Sequence, residues 1–173
     1  MVKNYFYLIF IFFSISAFAQ KSSNIFDVAR SGTLAEAQAL FQQNPKVVNE
    51  INEAGYPPLI LACYRGNTEV AQFLVENGAN LNYNSTMGTP LMAAVVKGNV
   101  EIVKTLLDRK ADVNLSDANG ISALIYAVQF QNSEILSMLL EYKADKTHKD
   151  KEGKTAFEYA VFSGNETIIN LLK

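Results

Sequence analysis

The stretch GTPLMAAVVKGNVEIVKTLLDRKADVN, residues 88–114, decides how this chain folds. An apolar run rich in small residues extends from Leu91 to Val96, breaks at Gly98-Asn99, and gives way to Ile102 and Leu106, four positions apart. That spacing puts Ile102 and Leu106 on one face of a helix. The segment therefore reads as two short helices joined by a tight turn, followed by a polar linker.

The same design recurs as GYPPLILACYRGNTEVAQFLVENGANLN at 55–82, GISALIYAVQFQNSEILSMLLEYKAD at 120–145 and GKTAFEYAVFSGNETIINLLK at 153–173. Gly55, Gly88, Gly120 and Gly153 stand 33, 32 and 33 residues apart. Self-similarity at that period specifies a stacked repeat array. The segments resemble the ankyrin repeat, whose pattern is G-x-T-P-L-H-x-A-A-x-x-G-[HN]-x-E-[IV]-V-x-x-L-L-x-x-G-A-D-V-N. The resemblance implies an all-α solenoid of about five units, near 24–51, 52–84, 85–116, 117–149 and 150–173. It also implies a protein that binds other macromolecules and performs no chemistry itself.

Within the second unit the inner helix is expected near Pro58 to Tyr64 and the outer near Thr68 to Glu76. Ala62, Ala94, Ala127 and Ala160 recur where inner helices must approach closely, and Val70/Leu74, Ile102/Leu106, Ile135/Leu139 and Ile168/Leu172 form outer stripes. Asn67, Asn99, Asn132 and Asn165 stand before the outer helices as N-caps. Gly66, Gly98 and Gly164 precede three of them and suit a left-handed turn, whereas Gln131 takes that place in the fourth unit. The family's T-P-L-H survives only as Thr89-Pro90-Leu91-Met92, so Ile60, Met92 and Ile125 must supply apolar contacts where the family uses His. Thr155 and Glu158 have capping-box spacing. The linker before Thr89 is one residue short, so its tip should be tight. Ile25 to Asn49 resembles a first repeat after a short disordered lead, Gln20 to Asn24. Lys173 marks a terminal unit expected to turn a polar face outward.

Ahead of the repeats, Lys3, an uncharged apolar run from Tyr5 to Ile15, and Ala17-Phe18-Ala19 have the form of a cleavable secretory signal over 1–19. A retained anchor is the rival reading, but the run falls well short of the ~20 apolar residues that span a bilayer. Removing Lys3 from 15 basic residues leaves 14 against 17 acidic ones, a balance that does not suggest a nucleic-acid partner. Export to the periplasm of a Gram-negative bacterium, or secretion, follows, with no membrane attachment of the mature chain, 20–173. The sole cysteine, Cys63, offers no internal disulfide and falls on the second Ala of the family's A-A pair, a place for a small buried thiol.

One histidine, His148, excludes a histidine metal cluster, and no phosphate loop, G-x-S-x-G or dinucleotide motif is present, so no catalytic residue, metal or cofactor is assigned. Asp112, Asp117, Asp145 and Asp150 occupy repeating linker positions that suit hairpin backbones. By the resemblance, binding falls on the linker tips and the inner helices of a concave face. The residues carried over are Tyr56, Met87, Ile121 and Lys154 on the tips, and Tyr64, Arg65, Lys97, Gln129, Phe130 and Phe162 on the helices. Aromatic and Arg residues commonly anchor binding hot spots. The expected function is a monomeric module engaging a protein partner, in an inhibitor or immunity role or an accessory one. A structural spacer, and an enzyme using Cys63 or a linker carboxylate, are the alternatives.

Overall fold

The computed structural model describes residues 24–173; the expected signal segment and Gln20 to Ser23 lie outside the described residues. The order is α1 (Ile25–Ser31), α2 (Leu34–Gln43), a 3-10 turn (Pro45–Asn49), α3 (Pro58–Arg65), α4 (Thr68–Glu76), α5 (Pro90–Lys97) and α6 (Val100–Asp108). Then come α7 (Ala123–Gln129), α8 (Ser133–Glu141), α9 (Ala156–Ser163) and α10 (Glu166–Leu172). Odd-numbered helices pack on one another as an inner layer, and even-numbered ones pack as an outer layer. The array is thus an all-α solenoid, as the family resemblance implies.

The inner layer is closed by small side chains. Ala62, Ala94, Ala127 and Ala160 are wholly buried, and Leu59, Leu91 and Leu124 repeat beside them at the same register. Each such leucine contributes about 1.5–3 kcal/mol by leaving water. Ile60, Met92 and Ile125 are buried as expected. Met92 does more than pack, because its sulfur accepts the Thr89 backbone N–H at 3.4 Å. The outer stripes from Val70 to Leu172 are buried too.

Gly66, Gly98 and Gly164 end their inner helices with φ of 74°, 73° and 70°, and Gln131 adopts φ 54° at the equivalent point. Two more residues share that region. Lys110 (φ 65°) and Lys143 (φ 67°) end α6 and α8 where Gly78 (φ 85°) serves the second unit, a strain the sequence reading did not anticipate. The Thr155/Glu158 capping box forms, with Thr155 N–H donating to Glu158 Oε2 at 2.7 Å. Thr33 and Glu36 form another.

Three expectations need correction. Asn24 is not part of a disordered lead: its Oδ1 accepts the Asp27 N–H at 2.9 Å and caps α1. Asn99, Asn132 and Asn165 cap their outer helices, but Asn67 does not. Its Nδ2 instead donates to the carbonyls of Val28 (3.2 Å) and Gly32 (2.9 Å), because the first turn leaves those two oxygens within reach. The last unit is polar outside only at its outer helix, where Glu166, Thr167, Asn170 and Lys173 are exposed as expected. Phe157 and Val161 are 37% and 53% exposed where Leu124 and Val128 of the preceding unit are covered by α9.

Side-chain ladders tie the linkers. Asn49, Asn82 and Asn114 each accept, through Oδ1, a backbone N–H from the next unit: Asn80 at 2.8 Å, Asp112 at 2.9 Å and Asp145 at 2.8 Å. The shortened tip is tight as expected, with Ser85 bridging directly to Gly88, whereas the later tips bridge Ser116 to Ser122 and Lys149 to Thr155.

Candidate protein-binding face

The linker carboxylates hold backbone. Asp117 Oδ1 accepts the N–H groups of Asn119 and Ile121 at 2.8 and 2.9 Å, and Asp150 Oδ1 accepts those of Glu152 and Lys154 at 2.9 and 3.0 Å. Asp112 and Asp145 make the same turn-closing bonds to Asn114 and Thr147. The second oxygens of Asp117 and Asp150 accept the hydroxyls of Tyr126 (2.7 Å) and Tyr159 (2.5 Å). The Tyr159 hydroxyl and these backbone donors hold the Asp150 carboxyl below its usual range. The tyrosine role was missed, although the shared separation of nine residues from Asp to Tyr was available in the sequence.

Cys63 is fully buried, and desolvation pushes its thiol well above the ordinary range. A thiol so placed is inert. Among the described residues no group of three His, Cys, Asp or Glu side chains is gathered to hold a metal ion. His148 Nε2 lies 2.7 Å from the Gly120 carbonyl, joining two successive tips.

Of the ten side chains proposed for binding, the inner-helix set is the more open. Tyr64 is 44% exposed, Phe130 53% and Phe162 93%, and Arg65, Lys97 and Gln129 are exposed beside them. Their place follows from local structure, since each lies in the last turn of an inner helix or just beyond it. Phe130 leans on Tyr126 with ring centroids 6.4 Å apart. Tyr64, Arg65, Val96 and Lys97 together line a cleft of about 270 Å³ between the ends of α3 and α5. Val96, which the repeat register pairs with Lys97 among the inner-helix positions, stands at the register of Tyr64 in the next unit.

The tip residues are more committed. Tyr56, Met87 and Ile121 are only half-buried, and Tyr56 and Ile121 pack against the core. The Tyr56 hydroxyl also meets Thr86 Oγ1 of the next tip at 3.1 Å. Lys154 is exposed but engaged, paired with Glu152 at 2.7 Å and lying 5.5 Å from the centre of the Tyr159 ring. The structure thus brings Tyr64, Arg65 and Lys97 into one cleft, and leaves the tip residues outside it.

The family model for ankyrin repeats (3 copies) matches residues 25–117 and 109–173. This chain belongs to the ankyrin-repeat family. Ankyrin repeats are generally protein–protein interaction modules, and the family is typically non-enzymatic. No curated protein matches the chain. Among the described residues of this ankyrin-repeat protein, no helix is long and apolar enough to cross a membrane.

Proposed function

We propose that this protein is an exported binding module that engages a partner protein through its inner-helix face, as an inhibitor or immunity protein or as an accessory subunit. The observation that carries the reading is the open row of Tyr64, Arg65, Lys97 and Phe130, whose side chains take part in none of the hydrogen bonds or ion pairs that hold the described residues together. Large rings held on rigid helices lose little entropy on binding, and aromatic and Arg side chains commonly anchor interfaces. An enzymatic reading has less support, because Cys63 is buried and the linker carboxylates are consumed by backbone donors. Export is supported by the leader of residues 1–19.

The test is capture of partners from the exported fraction on the mature chain, in parallel with a Tyr64→Ala/Phe130→Ala variant. A specific partner retained by the parent and lost by the folded variant supports the reading. Equal retention moves the site elsewhere. Lys104→Ala is a poor control for the outer surface, because Lys104 Nζ pairs with Asp108 at 2.6 Å and Asp108 accepts the Tyr142 hydroxyl from the next unit. Glu134→Gln on α8, an exposed residue, serves instead. Mass spectrometry of that fraction should find a chain beginning at or near Gln20.

A further inference from the structure

The two layers of the central units carry opposite charge. Helices α3, α5 and α7 contain Arg65 and Lys97 and no carboxylate, whereas α4, α6 and α8 contain Glu69, Glu76, Glu101, Asp108, Glu134 and Glu141 against Lys104 alone. This occurs in a chain of formal net charge −2, so the inner-helix face is a cationic strip on an acidic molecule. The carbonyl end of a helix favours a cation in its last turn, which accounts for where Arg65 and Lys97 sit along α3 and α5. It does not account for the missing carboxylates around them.

Both cations are unneutralised. Among the described residues neither Arg65 nor Lys97 pairs with a carboxylate. Lys97 also reaches across to the preceding unit. Its stem lies so close over Gly66 that a Cβ there would stand 2.9 Å from Lys97 Cε. Glycine at that turn thus admits the lysine of the following unit toward the end of α3, where it faces Arg65 and Tyr64 across the cleft of about 270 Å³.

A site with two free cations, an aromatic wall and the apolar side of Val96 complements a carboxylate that has an apolar neighbour. The Arg fork can hold a carboxylate by two parallel bonds, and Lys adds a point charge. We infer that the partner presents an acidic peptide segment, Asp or Glu beside an apolar residue, to the cleft between α3 and α5; this rests on the inner-helix face being the binding face. The acidic outer layer repels such a segment and steers it to the inner face.

The test uses a displayed library of random linear peptides, selected on the parent protein and then screened against Tyr64→Ala/Phe130→Ala. Binders that need the rings should be enriched in Asp and Glu, weaken as salt rises, and lose about tenfold or more in affinity on Arg65→Glu/Lys97→Glu. Ring-dependent binders that are neutral or basic, or that ignore the charge reversal, would overturn the acidic-segment inference while leaving the binding face in place. A selection that yields no ring-dependent binder overturns both. If the charge reversal lowers the melting temperature, Arg65→Gln/Lys97→Gln carries the same comparison without adding carboxylates.

Discussion

Gln131, held at φ 54°, accepts a hydrogen bond on its Oε1 from Asn165 Nδ2 of the following unit at 3.4 Å. The side chain thereby takes part in the stack at the point where its backbone is least comfortable. In the equivalent turns the backbone is eased by glycine.

Gln131→Gly is therefore expected to raise stability by up to about 1 kcal/mol or leave it unchanged. Relief of left-handed strain is offset by the greater freedom of Gly in the unfolded chain and by loss of a long hydrogen bond. Urea denaturation of the two proteins measures it, and a loss beyond about 1 kcal/mol would show the Asn165 contact outweighing the strain.

Tyr64→Ala should lower stability by less than about 1 kcal/mol, whereas Leu124→Ala, at a buried inner-layer position, should cost about 2–5 kcal/mol. The contrast, read from melting curves, separates a surface ring from a core residue. A Tyr64→Ala loss as large as that of Leu124→Ala would assign the ring to the core.

The thiol of Cys63 should resist a thiol reagent in the folded protein and react promptly once denaturant is added, because desolvation holds it protonated and packing keeps the reagent out. Ready labelling under native conditions would contradict the burial of α3.

Stability should fall at both ends of the pH scale. Glu36, Asp145, Asp150 and Glu158 are all held below the ordinary carboxyl range, mainly by backbone or hydroxyl donors. Their stabilisation is complete above about pH 4–4.5 and is lost as pH falls through the depressed values. Tyr126 shifts the other way: burial first, and then its bond to Asp117, push its hydroxyl up to about 12. Its contribution is intact below about pH 10 and is lost as pH rises toward 12. Tyr126→Phe should flatten the alkaline limb and cost about 1 kcal/mol at neutral pH. An unchanged alkaline limb would assign that loss to Tyr142 or Tyr159, whose hydroxyls are also shifted upward by bonds to Asp108 and Asp150.

Legibility from sequence followed the range of the interactions. The helix pairs, the glycine turns and the strained Gln131 were readable, because each depends on a few adjacent residues repeated at a fixed period. Asn67 was misread because its amide serves carbonyls 35 and 39 positions earlier, in a first unit whose turn at Gly32 is extended (φ −83°) rather than left-handed. How open the tip residues Tyr56, Met87 and Ile121 stand was not legible, for a related reason. Their exposure is set by the neighbouring hairpin, as in the Tyr56–Thr86 contact, and family position says little about that. The cleft at Tyr64 and Lys97 needed both, a register readable from sequence and a close approach over Gly66 visible only in the fold.

The asparagine ladder of Asn49, Asn82 and Asn114 sets the grain of the molecule. Each rung reaches 31, 30 and 31 positions along the chain, and no side-chain hydrogen bond among the described residues reaches beyond 39. A whole unit can be added or removed with every rung still finding a mate, and the one-residue difference between the middle rung and the other two is taken up by the short tip at Ser85–Gly88. Under tension from its two ends, such a chain yields one rung at a time, like a zipper whose teeth grip only their immediate neighbours.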